Sequence, residues 1–286
     1  MKKLTALVLA LALILSLAAA SAEITIAVPN DPTNEGRALL LLESYGLIDV
    51  DDNAGILATA KDVVENPLDI VFAEVEAAQV PSQLASVDYA IINGNYALAY
   101  QEAGNELNPL LYENADSPYV NVVSVKEENK DTPEAKALAA AILSQQVVDF
   151  FASYETPEGQ VPPVCVVENP TDGYDPDVDY AALAGKTIKV VCTLAPHSFV
   201  LDQVVKDILA AKDITLETIV VDDYIIPNMQ VDAGDAFANF FAHQPYQDDF
   251  NKNNGTNLVT IAGVHVEPMG LYGGKQADLT ALGADE

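Results

Sequence analysis

The sequence predicts an α/β protein of two lobes, and three observations carry that expectation. Strand-like and helix-like patterns alternate twice, each time over about a hundred residues. A long stretch of Pro, Asp, Glu and Gly from Tyr154 to Gly185 separates the two series. The first series opens on Ile24 to Gly46: a β-branched strand, a turn-rich loop and an apolar helix stopped by Gly46.

That opening unit holds the first candidate site residue. Asn30, Asp31, Pro32, Thr33 and Asn34 are cap and turn formers, so a helix N-terminus with free N–H groups opens there. Arg37 follows in or near the first turn. It is the single arginine of the chain, which sets 13 cationic side chains against 43 carboxylates. The helix dipole disfavours a cation at that end, whereas a guanidinium beside helix N–H groups suits capture of a carboxylate by two nitrogens. A surface ion pair to Asp31 or Glu35 is the plainer alternative.

Met1 to Ala22 reads as a secretory signal. Lys2 and Lys3 form the charged start, Leu4 to Leu17 the apolar stretch, and Ala20-Ser-Ala22 a small-residue cleavage site. The apolar run is shorter than the ~20 residues of a membrane span. The chain is therefore expected to be exported, periplasmic or at the cell surface, with cleavage after Ala22. The first cysteine is Cys165, so no lipid anchor is expected at the cleavage point. A formal net charge of −30 argues against nucleic acid and against anionic membranes. Cys165 and Cys192 can pair in an oxidising compartment or stay as two thiols.

Along the chain, Asp49 to Asn53 has some of the acidic spacing of a calcium loop, but its glycine falls late and no Glu closes it. Strands are expected at Val63-Val64 and Ile70 to Phe72, and a helix from Glu76 to Ser82. Tyr89 to Ala97 reads as an apolar strand interrupted by Asn93-Gly94-Asn95. Ligands of open α/β sheets sit beyond the carboxyl ends of strands, which makes the two amides Asn93 and Asn95, with Tyr96, a candidate wall of a polar site; an ordinary Asn-Gly turn is the plainer alternative. Ser117 to Val125 alternates Tyr119 and Asn121 with Val120 and Val122, so Asn121 faces either a cleft or solvent. Pro133 to Ser153 reads as one helix, and Tyr154 to Gly185 as an acidic linker with a short strand at Val164 to Val167. The second series then runs through strands at Thr187 to Cys192, Leu216 to Val221 and Leu258 to Ala262, with helices between them.

Phe240, Phe241, His243 and Tyr246 fall within seven residues, with Pro245 expected to stop a helix among them. Core packing accounts for one Phe, while the polar pair His243 and Tyr246 suits ligand contact. Catalytic patterns are missing. The sequence has no G-x-S-x-G, G-x-G-x-x-G or G-x-x-x-x-G-K-[ST], and neither cysteine has a neighbouring His. His197, His243 and His265 show no metal-ligand spacing. No metal or cofactor is expected, and an exported enzyme acting in the same cleft is the rival to a binding protein.

Several motifs together resemble one family. Val28 to Leu42, Glu76 to Pro81, Ile91 to Ala97, Asp116 to Asn121, Asp223 to Asn228, Asn239 to Tyr246 and Glu267 to Tyr272 are similar to the NlpA/MetQ methionine-binding proteins, substrate-binding subunits of ABC importers. The order departs from that family. There the block matching Lys186 to Lys275 comes first, so this chain resembles a circular permutant. Phe237 stands where the family usually has Asp, Ala242 where it usually has Gln, and the lipid-bearing Cys is missing.

The resemblance implies a type II periplasmic-binding-protein fold. Lobe A would be residues 23–124 with a C-terminal helix within 274–286, and lobe B residues 125–273 with the linker 154–185. It also implies a methionine-like amino acid or Met-containing dipeptide as ligand, a permease–ATPase complex as partner, and a monomer. Arg37 would clamp the ligand carboxylate, and Asn93 and Asn121 would bond its polar groups. Tyr224, Phe241, His243 and Tyr246 would wall the side-chain pocket, with Glu267 a further candidate for the amino group. Tyr224, and Phe241 in preference to Phe240, rest on the resemblance alone.

Overall fold

β-Branched runs bounded by turn residues become the strands of two separate sheets in the computed structural model, which describes residues 23–114, 118–157 and 159–283. The expected signal segment, Met1 to Ala22, lies outside the described residues. In chain order the strands are β1 (Thr25–Pro29), β2 (Asp49–Val50), β3 (Val63–Glu65), β4 (Val71–Val75), β5 (Tyr89–Ile92), β6 (Pro109–Tyr112) and β7 (Val120–Lys126). They continue with β8 (Val164–Cys165), β9 (Thr187–Cys192), β10 (Thr215–Val220), β11 (Ala238–His243), β12 (Leu258–Val266) and β13 (Gly270–Gly273). The α-helices are α1 (Pro32–Ser44), α2 (Gly94–Glu102), α3 (Pro133–Ile142), α4 (Gln145–Ala152), α5 (Tyr180–Leu183), α6 (Lys206–Ala210), α7 (Ile226–Ala233) and α8 (Gln244–Asn254).

Lobe A is built on the sheet β4-β1-β5-β13-β6 and lobe B on β10-β9-β11-β7-β12-β8. β1 runs parallel to both neighbours and is apolar on both faces, as a strand covered on two sides must be. Ile26 and Val28 pack with Leu39, Leu42 and Leu271 on one side, and Ala27 with Ala90 and Ile92 on the other. Leu279 and Leu282 join the Ile26 side, and Tyr89 Oη donates to the Asp278 carbonyl at 2.7 Å. The last described residues thus lie beside β1, as a single 3-10 turn, Thr280–Leu282, rather than the α-helix expected there. In lobe B, Val123, Leu138, Ile142, Val190, Phe240 and Val264 share one core.

The expected lobe boundaries at residues 124 and 273 shift. β7 pairs with β11 on one side and β12 on the other, so it belongs whole to lobe B. β13 sits between β5 and β6, so it belongs to lobe A. The chain therefore crosses between lobes from Tyr112 to Val120 and again from Val266 to Gly270.

Four other expectations change for local reasons. Glu76 to Ser82 makes two 3-10 turns, Ala77–Gln79 and Pro81–Gln83, because Pro81 offers no N–H to an α-helix there. The apolar run from Tyr89 ends as strand at Ile92 and continues as α2. Pro133 to Ser153 breaks into α3 and α4, where Ser144 leaves the helical region to bridge Thr171. Pro245 opens α8 rather than stopping a helix, since its missing N–H is one that the first turn leaves unpaired anyway.

The linker Tyr154 to Gly185 is docked rather than loose. β8 pairs with β12, Thr171 Oγ1 donates to the Ala140 carbonyl at 2.5 Å, and Val178 and Leu183 are buried in the lobe B core. Lys212 Nζ lies 4.3 Å from the Tyr174 ring and 5.4 Å from that of Tyr180. Composition alone hides these few spaced anchors. Cys165 and Cys192 are separate thiols, on strands kept apart by β11, β7 and β12. Among the described residues no helix is long and apolar enough to cross a membrane.

Candidate functional site

All seven site residues expected from the sequence meet in one cavity between the lobes. Arg37, Asn93, Asn121, Tyr224, Phe241, His243 and Tyr246 line it, and Glu267 closes it. The free volume of the cavity is about 10 Å³, room for about one water, so the lining side chains nearly fill it and the lobes must part to admit a ligand. Its position follows from topology. Asn93 follows β5 as the cap of α2, His243 ends β11, and the cavity is ringed by the starts of α1, α2 and α8, where unpaired N–H groups gather.

Arg37 sits in the second turn of α1, behind an Asp31 cap that accepts from the Asn34 N–H. Burial raises the Asp31 pKa against the lowering effect of those bonds. The guanidinium is 4% exposed and does not pair with Asp31 or Glu35. Its Nε reaches Glu113 Oε1 at 3.0 Å, and Nη2 reaches Glu113 Oε2 at 2.5 Å and the Glu267 carbonyl at 2.7 Å. The Tyr119 ring centre lies 4.3 Å from Cζ. Glu113 also accepts from the Met269 N–H at 3.1 Å. One arginine is thus held by groups from both crossovers.

Two bonds tie the lobes across the cavity. His243 Nε2 donates to Asn34 Oδ1 at 3.1 Å, and Tyr224 Oη donates to Asn95 Oδ1 at 2.7 Å. His243 also caps α8, its Nδ1 accepting from the Tyr246 N–H at 3.1 Å. Burial, then the charge of Arg37, holds the His243 pKa well below its usual value, so the ring is neutral and Nε2 carries the proton. Asn34 Oδ1 accepts a second bond, from Asn93 Nδ2 at 2.7 Å. Asn93 Oδ1 and Asn95 Nδ2 are buried without a partner. The cavity therefore presents one unused acceptor and one unused donor.

Tyr224, Phe241 and Tyr246 form the aromatic wall, with Tyr224 at 5.7 Å from each of the other two ring centres. Opposite them, Glu267 is gathered among His197, His265 and the N-terminus of α2. His265 Nε2 lies 2.7 Å and His197 Nε2 3.3 Å from its Oε1. A Cβ at Gly94 would meet the Glu267 Cβ at 2.8 Å, so only glycine lets α2 come this close. Sequence spacing gave no hint that His197 and His265 would meet Glu267. Asn34 and Glu113 were also missed as site residues, Asn34 because a helix cap accounts for such a residue on sequence alone.

Two α/β lobes joined by two crossovers, with an amide- and aromatic-lined cavity at the join, define a type II periplasmic-binding-protein fold. The chain belongs to the NlpA lipoprotein family, whose model matches residues 13–164 and 188–286. It is similar to the probable D-methionine-binding lipoprotein MetQ of Pasteurella multocida, 46% identical over 123 residues, which cover 43% of this chain and 44% of that protein. The D-methionine-binding lipoprotein MetQ of Escherichia coli K12 is 43% identical over 130 residues, covering 43% and 46%. The chain thus spans about half the length of the curated relatives it matches. Among solved structures, a nutrient binding protein from Burkholderia cenocepacia bound to methionine shares 41% identity over 46% of this chain and 55% of its own, with a TM-score of 0.41.

Proposed function

We propose that this chain is the extracytoplasmic substrate-binding protein of an ABC importer, taking methionine or a closely related amino acid or Met-containing dipeptide between its lobes. The observation that carries the reading is the cavity itself. It sets a buried guanidinium, an unpaired Asn93 Oδ1, an unpaired Asn95 Nδ2 and a carboxylate opposite an aromatic wall. An α-amino acid is their complement. Its carboxylate meets Arg37 from the cavity side, through the Nη1 N–H groups that make none of the bonds above. Its ammonium meets Glu267 and the free amide oxygen. Its thioether lies on Tyr224, Phe241 and Tyr246, a favourable sulfur–aromatic contact.

The same reading takes the chain as circularly permuted. Leu279 packs in the cluster that holds Ile26, so two ends that are consecutive in family order lie side by side. Linear comparison with each of these relatives captures under half of either chain, which is in keeping with a permuted order. Native mass spectrometry of the purified protein tests the ligand: a retained mass of methionine or a Met dipeptide is expected. Calorimetry with L- and D-methionine then ranks the isomers, and absence of binding to any of these ligands overturns the proposal.

A further inference from the structure

We propose that His197 and His265 are positioning residues that fix the Glu267 carboxylate as the receptor for the ligand's ammonium group, a role that rests on the reading above. Thr193 Oγ1 lies 2.9 Å from His197 Nδ1, and on the other side of the ring Nε2 faces two acceptors, Asn121 Oδ1 at 3.2 Å and Glu267 Oε1 at 3.3 Å. The proton therefore sits on Nε2, with Thr193 donating to Nδ1. His265 donates from its own Nε2 to the same carboxylate oxygen at 2.7 Å.

Neither ring can turn away. His265 stacks on Phe151 with centres 4.7 Å apart and planes at 25°. His197 meets Phe240 edge-on, also at 4.7 Å. Both imidazoles are fully buried, and burial pushes each down to about 3, so they are neutral. Their neutrality matters. Two cationic histidines would cancel the carboxylate, whereas two neutral ones aim it by hydrogen bonds and leave its charge for the ligand. Burial works against the Glu267 charge, while His197, Arg37 and the Asn95 N–H from lobe A favour it. An arriving ammonium adds the charge partner that burial otherwise withholds.

The same three side chains carry the donor atoms of a metal site, all within 4.8 Å of one another. The geometry favours the hydrogen-bonded arrangement. Two ligands of a tetrahedral ion with bonds near 2.0–2.1 Å lie ~3.3 Å apart, and the His265–Glu267 contact is well inside that.

The test uses the mature chain and two probes, L-methionine and 4-(methylthio)butanoate, which lacks only the amine. Wild type should prefer methionine by about a hundredfold, as expected for an ammonium paired with a held carboxylate. His265→Phe and His197→Phe, either of which suffices if the other does not fold, should each cut that preference about tenfold. Affinity for the amine-free probe should hold. His265→Gln, which restores an N–H donor, should recover part of the preference. An equal loss for both probes would show a structural role only, and an unchanged ratio, or a preference for methionine that appears only with added Zn²⁺, would likewise overturn the inference. A wild type that binds neither probe would overturn the proposed function, and the inference with it.

Discussion

Arg37 and Glu113, 76 residues apart, form a two-nitrogen ion pair at the base of the crossovers. Glu113 closes the same crossover against Met269 through its own N–H and side chain. The arginine expected to clamp a ligand is therefore also built into the joint. Arg37→Ala and Arg37→Lys should each weaken ligand binding by about 2–5 kcal/mol. They should also lower stability, because each leaves Glu113 without its bidentate partner. Arg37→Met combined with Glu113→Leu should recover stability but not affinity. Calorimetry and urea denaturation separate the two effects, and near wild-type affinity in Arg37→Ala would refute the clamp.

If the lobes close around ligand, the bending is confined to the two crossovers, Tyr112 to Val120 and Val266 to Gly270, since the sheets on either side are continuous. Small-angle scattering should show a smaller radius of gyration at saturating ligand. An unchanged radius would count against closure.

Gly94→Ala places a methyl group 2.8 Å from the Glu267 Cβ and 3.1 Å from the Pro268 carbonyl. Both neighbours lie in or next to a crossover, so the chain has to move. A cost of about 1–3 kcal/mol in stability is expected for such overpacking. Methionine affinity should fall more than affinity for its amine-free analogue, because Glu267 is what moves. A thermal melt and the two titrations check this.

Stability should fall on mild acidification. His197 and His265 have folded values of about 3 against a usual 6.5, and His243 shifts the same way. Between pH 6.5 and 3 the unfolded chain takes up protons that the folded chain refuses, so stability drops as pH falls through that window. The slope is at most about 1.4 kcal/mol per pH unit for each such histidine. Glu267, raised by burial, works in the opposite direction and offsets part of it. Urea midpoints at pH 7 and pH 5 measure the effect, and equal midpoints would contradict it.

A chain rearranged to start at Lys186, run to Gly283 and continue through a short link into Glu23 to Ser153 tests the permutation. It should keep ligand affinity, because the joined ends already share a core. It should lose some stability with the docked linker, whose Val178 and Leu183 fill lobe B. Collapse of binding would show that the present order is required.

Much of this architecture was legible because period and punctuation agree. β1, α1 and the Gly46 stop, with its φ of 70°, follow from β-branching, a Pro-led helix start and a glycine in the left-handed region. The lobe boundaries were not, because β7 alternates polar and apolar residues yet lies between two partners. The site residues with unusual chemistry for their place, Arg37 and His243, stood out. Glu113, His197 and His265 did not, since what makes them part of the site is separation in sequence and proximity in space. Pro245 was misread because proline both ends and begins helices, and only the backbone before it decides which.

The two side-chain bonds described across the cleft, His243 to Asn34 and Tyr224 to Asn95, both join neutral groups. Water can replace either partner as the lobes part, so each contributes only about 0.5–1.5 kcal/mol net. Together they bias the resting molecule toward the shut form by roughly fivefold to a hundred-and-fiftyfold. A ligand has to add only a few kcal/mol of preferential contact to populate that form almost completely, and a receiving partner has to supply no more than that to empty it. Such a hinge behaves as a lightly loaded balance, in which loading and unloading are both cheap.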